Sequence, residues 1–339
     1  MSPGPTPPRG RSPLRLRRGP LPWARQRPTW REARPAVIAS AVERATARPS
    51  GNWFVVGAVR DVRPTRPLSR NVAGLEVVVW RDGSGRLVGG PGVCPHLGAP
   101  LGDGPVHCGT LVCRWHGLAL DGSRSAGWEP LPVYDDGVLV WVRLDAVGGE
   151  HPTHAPVVPL RPPSATALQT VWHGVGRCEP VDVIANRLDP WHGAWYHPHT
   201  FVDLTVVETP ADTEDAEDAD RFVVDVSFRL TRRFVVPVRA EFTAPGPRTV
   251  LMRITEGEGE TSVVETHATP LGPDDRGGPR TLVLEAVTAT SPRPGFVLAR
   301  RAAPLLRPLV HAVVGRLWRD DLAYAERRRR LRETGRSPG

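Results

Sequence analysis

Apolar and polar positions alternate in short runs from Asn52 onward, each run bounded by glycine or charge. "WFVVGAV", "LEVVVW" and "GVLVWVRL" have the length and the β-branched and aromatic content of strands. Between the second and third lies a glycine- and proline-rich insertion, Gly89 to Tyr134, which carries three of the four cysteines. The pattern predicts a small antiparallel β domain over 51–148 whose long loops hold a ligand. A proline-rich linker follows at 149–164. Beyond it "FVVDVSFRL" alternates strictly, with Val224, Val226, Phe228 and Leu230 on one face and Asp225, Ser227 and Arg229 on the other. "TVLMRIT" and "RTLVLEAVT" repeat that texture, so a second antiparallel sheet with one face on a core is expected. After Pro294 the period becomes helical. Pro304 and Pro308 are expected to break its first part, leaving a last helix from about Leu309 into an arginine cluster that suits a helix C-terminus. The second domain is thus expected over 165–335, and the fold class is α+β.

The 339 residues suffice for two domains. Residues 1–50 depart from the pattern: proline punctuates them too often for a packed fold, and they read as a disordered Arg/Pro-rich tail with one short helix over "REARPAVIASAVERA". Much of the basic excess behind the net charge of +8 lies in this tail, so nucleic acid is not expected as a partner. All 44 basic residues are arginine. That excludes a Schiff-base lysine and a phosphate-loop lysine. The run "ADTEDAEDAD" lacks the glycine and ligand order of a calcium loop and reads as a solvated turn. No apolar run approaches the roughly 18 residues that span a bilayer. Arg17-Arg18 leads into "GPLPWARQ" rather than an apolar export segment, and a cytoplasmic location is expected.

Chemistry enters with Cys94-Pro95-His96 and Cys113-Arg114-Trp115-His116 inside the insertion. Two thiolates and two imidazoles fit tetrahedral zinc, or a 2Fe-2S centre with two cysteines on one iron and two histidines on the other. A zinc finger groups like ligands together, whereas here each loop offers one of each and can serve both irons. The surrounding glycines and prolines let backbone amides turn toward sulfur, which favours reduction. "CPHLGAPLGDG" followed by "CRWHG" resembles the Rieske family. Ala99 and Trp115 stand where the respiratory members carry a disulfide, which implies a lower potential, as in Rieske oxygenases. Cys108 and Cys178 lie outside the pattern and read as plain small side chains.

A cluster that moves single electrons needs an acceptor, and "NRLDPWHGAWYHPHT" (Asn186 to Thr200) is the candidate. His192 and His197 with one carboxylate would form the facial triad of non-haem Fe(II). Asp189 before Pro190 equally suits a helix N-cap. Residues 192 and 197 point about 140° apart on a regular helix, so the segment must bend or end between them, as Gly193 and Pro198 permit. The segment resembles the Asn-x-x-Asp-x-x-His-x(4)-His motif of the Rieske oxygenase catalytic domain, in the branch of steroid hydroxylases and aryl-ether demethylases. That resemblance implies His192 and His197 as iron ligands and Asp189 as the bridge to the cluster histidine of a neighbouring subunit. His199 is a rival that falls outside the spacing. The third ligand implied is an aspartate of the C-terminal helix, which is Asp321 rather than Asp320 in "LWRDDLAYAERRR".

The resemblance further implies an antiparallel β Rieske domain followed by a helix-grip catalytic domain, Cys94, His96, Cys113 and His116 as cluster ligands, and a head-to-tail homotrimer. It also implies electrons from an NAD(P)H-dependent reductase or ferredoxin, O2 as oxidant, and an apolar substrate to be hydroxylated, demethylated or desaturated. Trp172, Trp191, Trp195, Phe201 and Phe234 are candidates to line its pocket. A carrier whose second domain holds no iron would be an electron-transfer protein instead.

Overall fold

The structure, a computed structural model, describes residues 12–16, 26–210 and 221–336. The acidic run and residues 1–11 and 17–25 of the N-terminal tail lie outside the described residues. The first domain is built from three small antiparallel sheets: β2 (Trp53–Ala58), β10 (Leu139–Arg143) and β9 (Val133–Asp135); β3 (Leu68–Val72), β4 (Leu75–Arg81) and β5 (Leu87–Pro91); and β6 (Val106–His107), β7 (Thr110–Val112) and β8 (Ala119–Leu120). The three apolar runs read from the sequence are β2, β4 and β10. Trp80 and Trp128 pack together at 5.6 Å beneath the third sheet and the loops that flank it.

The second domain is one antiparallel sheet in the order β11-β17-β16-β15-β14-β13-β12. Its strands are β11 (Leu168–Gly176), β12 (Phe201–Glu208), β13 (Phe222–Arg229), β14 (Phe234–Gly246), β15 (Thr249–Gly257), β16 (Val263–Pro270) and β17 (Thr281–Ala289). A two-residue strand β1 (Arg15–Leu16) pairs with the start of β14. The alternating runs are β13, β15 and β17. β14 carries Pro237 in its interior, which hides it from a periodicity argument. The proline is tolerated because β14 begins to pair with β15 only at Val238.

Against the sheet lie α3 (Pro180–Arg187) and α6 (Ala303–Glu333), after α1 (Pro35–Thr46), the single turn α2 (Asp145–Gly148), the short α4 (Gly193–Tyr196) and α5 (Pro294–Arg301). Trp318, Asp321 and Ala325, at helical spacing on α6, are fully buried. Arg328 and Arg332 then reach back to the buried Asp182 of α3, at 2.8 and 2.9 Å. The C-terminal arginine cluster therefore fastens α6 to α3.

Two expectations are corrected. The last helix starts at Ala303 rather than near Leu309, because Pro304 occupies the first turn, where a backbone N–H has no partner to lose, and Pro308 is carried inside the helix. Residues 26–50 are not a tail either. α1 buries Ala41, Val42 and Ala45 in one core with Val183, Ile184 and Trp318. Its apolar residues were too few and too close to the proline-rich stretch to announce that.

The two domains share an apolar seam in which Trp53, Val55, Leu139 and Trp141 meet Val171, Leu282 and Leu284. The linker is fixed to it by Arg161. Its guanidinium bonds Asp136 of the first domain at 2.8 Å and both carboxylate oxygens of Glu265 of the second, one of them at 2.8 Å. His267 closes the set, 3.1 Å from Glu265 and edge-on to Trp141.

Candidate metal centres

The two loops at the tip of the first domain close by the same hydrogen bonds. The Cys94 amide donates to the Ala99 carbonyl (2.8 Å) and the Gly98 amide to the Cys94 carbonyl (2.9 Å), while the Cys113 amide donates to Leu118 (2.8 Å) and the Gly117 amide to Cys113 (3.0 Å). Gly98 and Gly117 make these turns with φ of 77° and 76°, which side chains with a Cβ rarely adopt. Both cysteines end up buried and both histidines exposed, with the His96 and His116 rings 4.8 Å apart and nearly perpendicular. Burial alone would raise the Cys113 thiol, but the amides of Trp115 and His116 and the Cys94 thiol offset it and hold it below its usual range. No disulfide occurs among the described residues, and Ala99 is buried where Trp115 is 58% exposed. Cys178 is the opposite kind of thiol, pushed up to about 12 by burial and by Asp182.

The second cluster forms where α3 stops. The chain leaves α3 at Leu188, turns through a 3-10 segment at Pro190–His192, makes the single turn of α4, and quits helical geometry at His197 (φ −117°, ψ 53°). The break demanded by the five-residue spacing is therefore present, though it falls at His197 rather than at Gly193, whose own backbone is helical. Gly193 lies close to β12 instead: a Cβ there would come within 3.1 Å of the Leu204 side chain, which would have to give by a few tenths of an ångström.

α6 brings Asp321 into this break. One carboxylate oxygen, Oδ1, lies 3.2 Å from His192 Nε2, 2.8 Å from His197 Nε2 and 3.0 Å from the Asn186 side-chain nitrogen. Donor atoms of His192, His197 and Asp321 all fall within 4.8 Å of one another. Asp320 is 46% exposed and 3.8 Å from His197 Nδ1, and His199 is exposed. Neither joins the set. His192 Nδ1 lies against the Asp189 backbone carbonyl, which keeps a proton on that nitrogen and turns Nε2 toward Asp321. Burial would lower the His192 pKa, but Asp189 and Asp321 push it up to about 9. Burial acts on Asp321 in the other direction, and the two histidines hold it well below the usual carboxylate range.

Four buried polar atoms here have no hydrogen-bond partner among the described residues: Asp321 Oδ2, Asp189 Oδ1, Asn186 Oδ1 and His197 Nδ1. A folded protein rarely leaves such atoms unsatisfied, since each costs about 1–3 kcal/mol. Two imidazole Nε2 atoms and a carboxylate with a vacant oxygen are a donor set suited to a divalent first-row metal. The Asp189 Oδ2 atom accepts from the Tyr324 hydroxyl at 3.2 Å, and the Tyr324 ring lies 5.4 Å from that of His192.

A cleft open to solvent ends on His192 and His197 and is walled by Phe201, Leu204, Val226, Phe228, Phe242 and Met252. Of the aromatics singled out in the sequence only Phe201 lines it. Trp172 stacks on Trp318, Trp191 packs edge-on against Phe222, Trp195 bonds the Arg27 carbonyl at the surface, and Phe234 is exposed. Val226 and Phe228 belong to the apolar face of β13, so the strand alternation was the better guide to the wall. Thr29 also bonds the Trp191 carbonyl at 3.2 Å, so the N-terminal segment braces the metal-site turn from outside. Neither Tyr324 nor this brace had a signal in the sequence.

Residues 147–336, more than half of the chain, match the family described as Domain of unknown function (DUF5914). The chain belongs to the DUF5914 family. In this DUF5914 protein that domain follows a Rieske [2Fe-2S] domain, matched over residues 52–134. Curated relatives include the vanillate O-demethylase oxygenase subunit of a Pseudomonas species, 33% identical over 95 residues (25% of this chain and 27% of that protein). Another is the 4beta-methylsterol monooxygenase of Methylococcus capsulatus, 36% identical over 78 residues (23% and 21%). The chain spans between 14% and 31% of the length of four such relatives. The whole fold is that of solved Rieske oxygenases. Dicamba monooxygenase superimposes with a TM-score of 0.54 at 17% identity, covering 86% of this chain and 92% of the other. The terminal oxygenase of carbazole 1,9a-dioxygenase from Novosphingobium does so with 0.54 at 15%, covering 91% of each. Among the described residues of the DUF5914 protein, no helix is long and apolar enough to cross a membrane.

Proposed function

We propose that the protein is the oxygenase component of a Rieske non-haem iron system. In this reading Cys94, His96, Cys113 and His116 hold the 2Fe-2S cluster, and His192, His197 and Asp321 hold a mononuclear Fe(II). The observation that carries it is the convergence of the latter three, His197 and Asp321 buried, on an apolar cleft, with Asp321 Oδ2 left vacant, in a chain that also carries a Rieske domain. Iron held there supplies the reduction of O2 that oxygenation of an unactivated carbon needs, using electrons drawn from the cluster.

The protein's own residues do the rest. Asn186 fixes the rotamer of Asp321 through its 3.0 Å bond, and the Asp189 carbonyl fixes the tautomer of His192. The Phe201, Phe228 and Phe242 wall takes an apolar substrate and excludes water from the donor set. His96 and His116 present exposed imidazole edges, and Asp189 keeps one buried oxygen unpartnered. That pairing suits a relay in which a cluster histidine of one subunit meets Asp189 of the next, and hence a head-to-tail homotrimer. The reductant would be an NAD(P)H-dependent reductase or a ferredoxin. Solved carbazole 1,9a-dioxygenase structures include an oxygenase–ferredoxin complex.

Iron quantitation tests the proposal. The intact protein should hold about three irons per chain, two in the cluster and one outside it. His192→Ala should lose the third iron and substrate-dependent O2 uptake while the visible spectrum of the cluster persists. Uptake that survives the substitution, or a parent protein with only the cluster's iron, would overturn the assignment.

A further inference from the structure

The two halves of α6 differ. Trp318, Asp321 and Ala325 of its C-terminal half are buried, whereas several apolar residues of its first turns and of the preceding α5 are exposed. Leu305 is 82% exposed, Leu298 67% and Leu309 63%, and Val313 is also exposed. At about 100° per residue, Leu305, Leu309, Arg316 and Arg319 fall within about 80° of one another around the helix. The outward face is therefore a leucine tip followed, two to three turns on, by exposed guanidinium groups, with Arg301 of α5 exposed beside it.

Charge decides what such a face fits. Between Glu285 and Asp320 the chain has no acidic residue and has six arginines, at 293, 300, 301, 307, 316 and 319. Arg293 is taken up by Glu258, and Arg300 and Arg307 bond backbone carbonyls at 165 and 169, which leaves Arg301, Arg316 and Arg319 as the exposed basic set. Exposed leucines with arginines set back along the same face, and Asp320 as the first acid beyond them, suit an interface that is apolar inside and anionic at its rim. The leucines enter the acyl boundary while the longer arginine side chains extend to phosphate level.

We propose that the α5 and N-terminal α6 face binds the surface of an anionic lipid bilayer, lying on it without crossing it. The inference stands on this surface alone and is independent of the oxygenase reading. The test is flotation of the full-length protein with vesicles of phosphatidylcholine alone, or of phosphatidylcholine mixed with phosphatidylglycerol, at low and high salt. Binding should appear with the anionic vesicles, weaken with salt, and fall roughly twentyfold in Arg316→Gln/Arg319→Gln. Leu305→Ser/Leu309→Ser should lower it on the order of tenfold or more. An unchanged cluster absorption spectrum shows that each variant is folded. Equal binding to both vesicle types, no binding to either, or variants that bind like the parent would overturn the proposal. A parent that ignores vesicles, with a Leu305→Ser/Leu309→Ser variant of smaller mass on size exclusion, would assign the face to a contact between copies of this chain instead.

Discussion

The two candidate metal centres are assembled in opposite ways. In the Rieske domain each loop closes on itself within five residues, through an amide bond from the cysteine and another from the glycine after the histidine, and the two loops then meet. In the second domain the ligand set closes only on a distant helix. His192 and His197 reach Asp321 across 129 and 124 residues, and the chain must first break its helix twice to aim them. The first arrangement leaves its histidines exposed, as befits an electron exit. The second buries His197 and Asp321 and leaves His192 partly buried, which suits the proposed O2 chemistry, where water has to be kept out. A locally closed site survives damage elsewhere, whereas a site closed by a distant helix depends on everything that sets that helix in register.

Asp321→Ala should give the largest effect. It removes the oxygen on which both histidines and Asn186 converge, so the mononuclear iron should fall below detection and turnover with it, while the cluster spectrum is unchanged. Asp320→Ala, one residue away and half exposed, should keep the iron. Equal iron loss in the two variants would show that the ligand is not fixed by the register of α6.

Next in size is Arg161. Removing it leaves Asp136 and Glu265 buried without their cation, and breaking a buried pair of this kind costs about 3–5 kcal/mol. Arg161→Met should lower the melting temperature accordingly while leaving both metal sites loaded in the folded protein, since neither is built from the seam. The same set predicts acid sensitivity. Burial raises both carboxyls, but Arg161 and, for Glu265, His267 more than offset it and hold them below the usual range. Their folded pKa values are depressed, so their stabilisation is present above about pH 4 and is lost as pH falls through the folded values. A melting-temperature profile against pH should drop in that acid window for the parent and be flatter there for Arg161→Met.

The same contrast governs what could be read from the sequence. Cys94, His96, Cys113 and His116 were legible because a closed loop confines its chemistry to a few consecutive letters. His192 and His197 were legible for the same reason, and the need for a bend between them followed from helix geometry alone. In the sequence Asp321 is preferred to Asp320 on the resemblance alone, since adjacent residues point about 100° apart and a one-residue slip is easy. The burial of α6 under the sheet settles the orientation, with Asp321 fully buried and Asp320 outside. α1 was misjudged as part of a tail because its partner surface, the α3 side of the core, lies some 140 residues away in the chain. Of the five aromatics that could line a pocket only Phe201 does, because Trp172 and Trp191 pack on core aromatics while Trp195 and Phe234 lie at the surface. The wall comes instead from alternate positions of β13 and from Phe242 and Met252 on β14 and β15, whose facing depends on sheet order.

The smallest effect expected is also the most specific to the long-range site. Tyr324 lies one turn beyond Asp321 on α6, and its hydroxyl holds Asp189 Oδ2 while Oδ1 stays unpartnered. If Asp189 is the link between subunits, that bond sets which oxygen faces the neighbour. Tyr324→Phe keeps the ring against His192 and deletes only the hydroxyl, so the iron content should not change. What should change is the rate at which a reduced cluster is reoxidised by O2 and substrate, slowed roughly tenfold as for other residues that orient a metal-site ligand. Rapid-mixing absorbance at the cluster bands reads this directly. Loss of iron in Tyr324→Phe would mean that the tyrosine supports the ligand set rather than the bridge. An unchanged reoxidation rate would mean that Asp189 is held by its backbone turn alone, and that α6 contributes nothing to the site beyond Asp321.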